Sequence, residues 1–280
     1  MTTVAIVGAG EIGGSTAHAL AASDRVGRVI LVDRVGSAAA GKALDLRQAG
    51  AIDRTHGRLE GTDDDTRVAG CDVCVVADRF GGSEWVGDEG LALLRTLSAY
   101  AGRAPIVFAG ARQADLLAAT ARELGVDRRR LIGSAPEAFA SAVTAIVALE
   151  ANGSPREVVL TVLGTPPAGL VVPWSEASIG GYALQQVLAP VQLARVQSRA
   201  AALWPPGPYA LGAAAARVVT AILSSSRQSM CVLMQLGGEF GVRNRPGCLA
   251  ARLGASGIVE TRAPELTTRE RVQVQTALGV

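Results

Sequence analysis

A chain of 280 residues has room for two domains of ordinary size, or for one large doubly wound domain with a cap, and for a substantial core in either case. Its composition is 49% hydrophobic and 19% charged with a formal net charge of +2, which excludes a disordered chain and offers no bulk charge that would call for nucleic acid. The basic residues are nearly all arginine, Lys42 being the only lysine; their one dense run, Arg128-Arg129-Arg130, lies between a helical pattern and an apolar segment, where a solvated helix end is expected instead of a binding patch. No window approaches the run of roughly 18 apolar residues that a membrane span requires. Strand-like residues begin at Thr3 and leave no stretch for a signal peptide, so a cytoplasmic chain is expected.

Residues 3–7 form a short, continuous apolar run ending at glycines, as a parallel strand covered on both faces would. A helix is expected over 12–22, a strand over 29–32, and a helix over 41–49 containing Lys42, Asp45 and Arg47. Strands at 73–76, 106–108 and 131–133 alternate with helices at 88–100 and 114–124, an order that implies a mostly parallel, doubly wound sheet. Past Ser134 the pattern changes. A long alanine-rich helix is expected over 139–151 and a strand over 158–163, which places a domain division near 134, giving units 1–134 and 135–280. Further helices are expected over 185–203 and 209–223, separated by the break Trp204-Pro205-Pro206-Gly207-Pro208. Strands follow at 231–236, 248–253 and 257–259, and Thr267 is placed to cap a last helix with Glu270 as its reciprocal partner.

The cysteines carry little. Cys71-Asp72-Val73-Cys74 has redox or zinc half-site spacing, but it lies in a strand-like run, whereas redox pairs sit at a helix start and zinc needs a second pair. Buried, inert thiols and no metal are expected.

Gly8-Ala9-Gly10-Glu11-Ile12-Gly13 matches G-x-G-x-x-G directly after the first strand and at the opening of the first helix. Gly8 permits the tight turn, Gly10 lets a pyrophosphate approach the backbone, and Gly13 lets helix pack on strand, with the free amides of Glu11 and Ile12 at the helix N-terminus. Asp33 ends the second strand 20 positions after Gly13, the spacing at which a carboxylate accepts hydrogen bonds from an adenosine ribose. The pair favours NAD over NADP, since a 2′-phosphate would face a like charge; Arg34 is the counter-signal, because a neighbouring arginine can pair with that phosphate. A Rossmann domain that binds a dinucleotide is therefore expected.

The stretch 4–20, Leu31-Val32-Asp33 and Gly41-Lys42-Ala43-Leu44-Asp45-Leu46 resemble the opening of the lactate and malate dehydrogenases. The likeness continues through Val162-Leu163-Gly164, Ser178-Ile179-Gly180-Gly181, Tyr209-Ala210-Leu211-Gly212 and Gly238-Glu239-Phe240-Gly241-Val242, with the interval 181–209 shorter than the family's. The resemblance implies a second, α+β substrate-type domain and a homo-oligomer, with a dimer expected.

The same resemblance implies a set of catalytic side chains, and none of them is at its position. The family's acid/base histidine follows V-L-G; here Pro166 stands there, with Ala168 at the place of the next aspartate. Counting from Gly133, the aspartate that orients the histidine falls on Phe139 and the arginine that clamps the substrate carboxylate on Ala142. The arginines of the mobile loop fall on Gly82 and Asp88, the asparagine beside the nicotinamide on Gly110, and small residues near its ribose on Asp78 and Arg79. His18 and His56 lie elsewhere in the chain. The reading is a dehydrogenase-like protein that binds NAD(H) with no catalytic residues of the family, as a binding or regulatory homologue. The alternative is an NAD-dependent oxidoreductase acting on a CH–OH group of a different substrate through a rebuilt site that uses Asp78, Arg79, Arg112 or Glu137. Short-chain reductases, which need a tyrosine and lysine four apart, are excluded by the isolation of Lys42.

Overall fold

The computed structural model describes residues 1–23, 25–167 and 169–280. The elements run β1 (Thr3–Val7), α1 (Glu11–Ala21), β2 (Arg28–Val32), α2 (Gly36–Asp53), β3 (Arg58–Thr62), β4 (Val73–Val76), α3 (Gly87–Tyr100), β5 (Ile106–Phe108), α4 (Ala114–Leu124) and β6 (Leu131–Gly133). They continue through α5 (Ala135–Glu150), β7 (Val158–Val159), β8 (Leu163–Thr165), β9 (Gly169–Val171), β10 (Ser178–Ile179), β11 (Tyr182–Ala183), α6 (Leu184–Val187) and α7 (Pro190–Ala200). The chain closes with α8 (Pro208–Ser224), β12 (Ser229–Gly237), β13 (Arg243–Gly254), β14 (Gly257–Arg262) and α9 (Thr268–Leu278).

The first six strands lie in the order β3-β2-β1-β4-β5-β6, all parallel, which is the doubly wound dinucleotide-binding order with its reversal beside β1. Alternation along each strand explains the two layers. Val4 and Ile6 face one core cluster and Ala5 and Val7 the other, as do Val73 and Val75 against Cys74 and Val76. One cluster takes in Leu20 of α1 and Val218 of α8; the other takes in Leu94 of α3, Leu117 of α4 and Val143 of α5. Side chains covered on both faces leave no solvent side, hence the unbroken apolar runs in the sequence. Beyond β6 the sheet turns antiparallel through β12 and β13, with β8, β9 and β14 attached, while β7, β10 and β11 form a small separate sheet. Among the described residues no helix is long and apolar enough to cross a membrane.

Several elements depart from the sequence expectation. β3 was not expected because only Leu59 of it is buried; it is an edge strand held by Glu60, which receives both Arg28 and Arg67. α2 begins at Gly36, earlier than residue 41, because the small residues Ser37 to Ala40 continue the helix despite carrying no apolar period. The strand expected over 158–163 is divided between two sheets, and the helix expected over 185–203 is a short turn and then α7. The arginine run is not a solvated helix end. It is a short 3₁₀ turn in which Arg128 donates to the Gln235 carbonyl and pairs with Glu239, while Arg130 donates to the carbonyls of Gly102 and Ala104. The cap on α9 is as expected: Thr267 Oγ1 accepts from the Glu270 amide, and the Glu270 carboxylate accepts from the Thr267 amide at 3.1 Å.

Candidate dinucleotide site

β1 delivers the chain into the glycine turn at the centre of the sheet. Gly8 has φ of +113°, a conformation that side chains resist, and its amide donates to the Val32 carbonyl at 2.7 Å, tying the turn to β2. α1 then starts at Glu11 with Gly10 as its N-cap and no side-chain cap. Its free first-turn amides do have a partner. The Glu11 amide donates to Asp78 Oδ2 at 2.8 Å and the Gly13 amide to Asp78 Oδ1 at 3.0 Å, while the Gly10 amide donates to the Asp78 carbonyl at 2.9 Å. A Cβ at Gly10 would fall on the Asp78 carboxylate. Ile12 is buried under the turn, and Lys42 Nζ reaches from α2 to the Gly10 carbonyl at 2.7 Å.

Asp33 stands at the end of β2 as expected, yet it is only 4% exposed and its oxygens are engaged by backbone. Oδ2 accepts from the amides of Ala9 at 2.8 Å and Phe80 at 2.9 Å, and Oδ1 from Val35 at 3.0 Å. Phe80 belongs with Asp78 to the segment that follows β4. Farther along it, Glu84 accepts from the Ala111 and Arg112 amides at 3.1 and 2.7 Å, and a Cβ at Gly110 would fall on its carboxylate. Next comes Trp85, 2% exposed, with the guanidinium carbons of Arg34 and Arg79 at 5.0 and 4.9 Å from its ring centroid. Both arginines also pair with Glu89 at 2.7 Å, so Arg34 is committed to protein groups in this conformation. The cavity left beside Asp33 and Trp85 is about 140 Å³.

The turn nonetheless fits the phosphates in its chemistry. It already holds an oxyanion, the Asp78 carboxylate, on the amides of Glu11 and Gly13, the first of which is one of the two expected to meet a pyrophosphate, so Asp78 stands in for a phosphate at the helix N-terminus. NAD held there by these amides would supply a nicotinamide able to accept or give a hydride. The sequence does not signal this occupancy: Asp78 is legible there as a residue in place of a small one and as a candidate for a rebuilt site, not as a partner of the helix amides.

The positions that the resemblance assigns to catalysis lie in apolar or exposed surroundings. Pro166 is buried, and Phe139 is 4% exposed with its ring edge-on to Trp204 at 6.2 Å. Ala142 is half-buried, Gly82 and Asp88 are exposed, and Ala168 lies outside the described residues. His18 is exposed and 4.0 Å from Asp53, and His56 is exposed. Of the residues weighed for a rebuilt site, Asp78 and Arg79 are bound into the segment after β4, and Arg112 is exposed on its surface side. Glu137 is engaged elsewhere: it accepts from the Cys231 amide at 2.9 Å and pairs with Arg217 at 3.1 Å. All four cysteines are free and buried, and burial pushes Cys71 up to about 11, so these thiols stay protonated and unreactive. Among the described residues no cluster of His, Cys, Asp and Glu has the makings of a metal site.

Burial pushes the Glu137 carboxyl above its ordinary value of 4.5, against the pull of Arg217 and the Cys231 amide. A carboxyl whose folded pKa is raised binds its proton more tightly when folded, so its contribution is most favourable below the ordinary carboxyl range and falls as pH rises through the folded value. Glu137→Gln, which keeps an acceptor for Cys231, is therefore expected to gain on wild type in urea midpoint as pH is raised from 4 toward 8. A difference that stays constant or shrinks would show that the Arg217 pair outweighs burial.

Comparison with known proteins places these features. Residues 2–82 match the family model described as the lactate/malate dehydrogenase NAD binding domain. A malate dehydrogenase of Thermomicrobium roseum is 28% identical over 287 residues, covering 96% of this chain and 92% of that one, and one of a Nitratiruptor species is 28% identical over 97% and 91%. The fold is that of a Salinibacter ruber malate dehydrogenase, with a TM-score of 0.87 at 24% identity over 99% of this chain and 94% of that one. A minor L-lactate dehydrogenase of Enterococcus mundtii, solved with ligands bound, superposes with a TM-score of 0.88 at 19% identity over 99% and 95%. The chain is thus similar over nearly its whole length to malate dehydrogenases and has their fold, and the match of residues 2–82 to the NAD binding domain of the lactate/malate dehydrogenases supports NAD as the cofactor.

Proposed function

We propose that this chain is a member of the family that binds NAD(H) without transferring hydride to a 2-oxo acid, and serves as a binding or regulatory homologue. The observation that carries the reading is the packing of Phe139, at the position of the histidine-orienting aspartate, edge-on against Trp204. A buried phenylalanine against an aromatic ring offers no charge, the opposite of what an imidazolium needs. Pro166, with no titratable group, supports the same reading. We place the division between dinucleotide and substrate-type domains at 134/135, after β6, and assign the cofactor to Gly8, Gly10, Glu11, Ile12, Gly13 and Asp33. A homo-oligomer, most simply a dimer, follows the family.

NADH is expected to bind at least about tenfold more tightly than NADPH, because the Asp33 carboxylate stands where a 2′-phosphate would add a like charge. Fluorescence titration with both cofactors checks this, and equal affinities would overturn the assignment of Asp33. The function itself is tested by following purified protein, NADH and millimolar pyruvate or oxaloacetate at 340 nm, a generic NADH wavelength. No consumption is expected; steady consumption that depends on protein would favour a rebuilt site.

A further inference from the structure

We propose that residues 78–85 are a built-in competitor for NAD: the segment binds its own dinucleotide cleft through Asp78, and cofactor enters only when it lifts away. This rests on the reading of the glycine turn as the NAD cradle. Three independent anchors follow the line of the cleft. At the turn, both Asp78 carboxylate oxygens take the first-turn amides of α1. At the end of β2, the Phe80 amide takes Asp33 Oδ2, an oxygen that the sequence reserves for a ribose hydroxyl. At the far side, Glu84 takes the Ala111 and Arg112 amides and covers Gly110, where the family has the asparagine beside the nicotinamide.

The segment and the cofactor compete for the same atoms. The Glu11 amide cannot donate to Asp78 and to a pyrophosphate at once, and a pyrophosphate beside the Asp78 carboxylate would set like charges in contact. The closed form is also imperfectly satisfied: Trp85 Nε1 is buried with no hydrogen-bond partner among the described residues. An unpaired buried donor is a cost that opening relieves, so the closed segment is a competitor that a ligand can displace. When only a fraction of molecules is open, the measured dissociation constant is the intrinsic one divided by that fraction.

Removing the carboxylate should therefore tighten cofactor binding, the reverse of what is expected for a residue that contacts NAD. Wild type, Asp78→Ala and Asp78→Asn are titrated with NADH by calorimetry, and hydrogen exchange of the segment 79–85 is followed in wild type with and without NADH. At least about tenfold tighter binding by Asp78→Ala, with faster exchange in 79–85 of wild type on adding NADH, is the expected result. Equal or weaker binding by both variants would overturn the proposal, and so would unchanged or slower exchange in NADH-bound wild type. Should Asp78→Ala fail to fold, Asp78→Asn and the exchange measurement decide. Absence of NADH binding in all three would overturn both this inference and the cradle it rests on, whereas 2-oxo acid turnover would overturn the proposed function and leave the inference standing.

Discussion

Neither wild type nor Pro166→His is expected to reduce pyruvate or oxaloacetate above the rate without protein. Hydride transfer to a 2-oxo acid leaves an alkoxide that must be protonated as it forms, and general acid catalysis is typically worth about 10²–10⁴ in rate. Pro166 supplies no proton, and a histidine placed there meets Phe139 in place of a carboxylate to orient it. On the proposed reading, Ala142 leaves the substrate carboxylate without its bidentate clamp, and without the orientation that makes transfer effectively intramolecular. These losses belong to one constellation and do not multiply, but restoring a single member recovers none of them. A protein-dependent decrease at 340 nm with Pro166→His and not with wild type would show that the remaining parts of the site are present.

Phe139→Asp, which places a carboxylate where the resemblance implies the family's, is expected to destabilise the fold severely. Removing a buried phenylalanine side chain typically costs about 3–5 kcal/mol, and a buried carboxylate with no partner adds to that. The neighbour is the Trp204 ring at 6.2 Å, which offers an aspartate no charge to pair with. Against a typical total stability of about 5–15 kcal/mol, the loss takes much of the folded state. Urea denaturation followed by circular dichroism should show a greatly lowered midpoint or an unfolded chain. A loss below about 1 kcal/mol would mean that the position is polar and open, as in a working dehydrogenase.

How far the sequence reveals the molecule depends on where the information resides. β1, β4, β5, α4 and β6 were legible to the residue because a strand buried on both faces is an unbroken apolar run and an amphipathic helix keeps its period. β3 is not, since an edge strand with one buried side chain has no pattern to read, and it is placed by its parallel pairing with β2. At the site, the glycine turn is legible because its backbone geometry requires glycines, and the position of Asp33 at the end of β2 because the spacing from that turn places it there. What they touch was not. Asp78 is 65 positions from Gly13, and nothing local says that its carboxylate returns to the helix N-terminus. Likewise Arg34 and Arg79 both reach the Trp85 ring only because β2 and the segment after β4 are brought together by the parallel order around β1. Glu137 shows the same limit in reverse, as a polar residue near the expected pocket whose partners, Cys231 and Arg217, direct it elsewhere.

The most direct measurement combines occupancy with turnover. Wild type and Asp78→Ala are each brought to an NADH concentration at which fluorescence shows the site filled, and 2-oxo acids are then added while absorbance at 340 nm is recorded. Bound NADH that persists unoxidised in both proteins is the predicted result. Oxidation at roughly 1 per second or faster, the ordinary range for an enzyme, would contradict it and identify the chain as a dehydrogenase with a rebuilt acid.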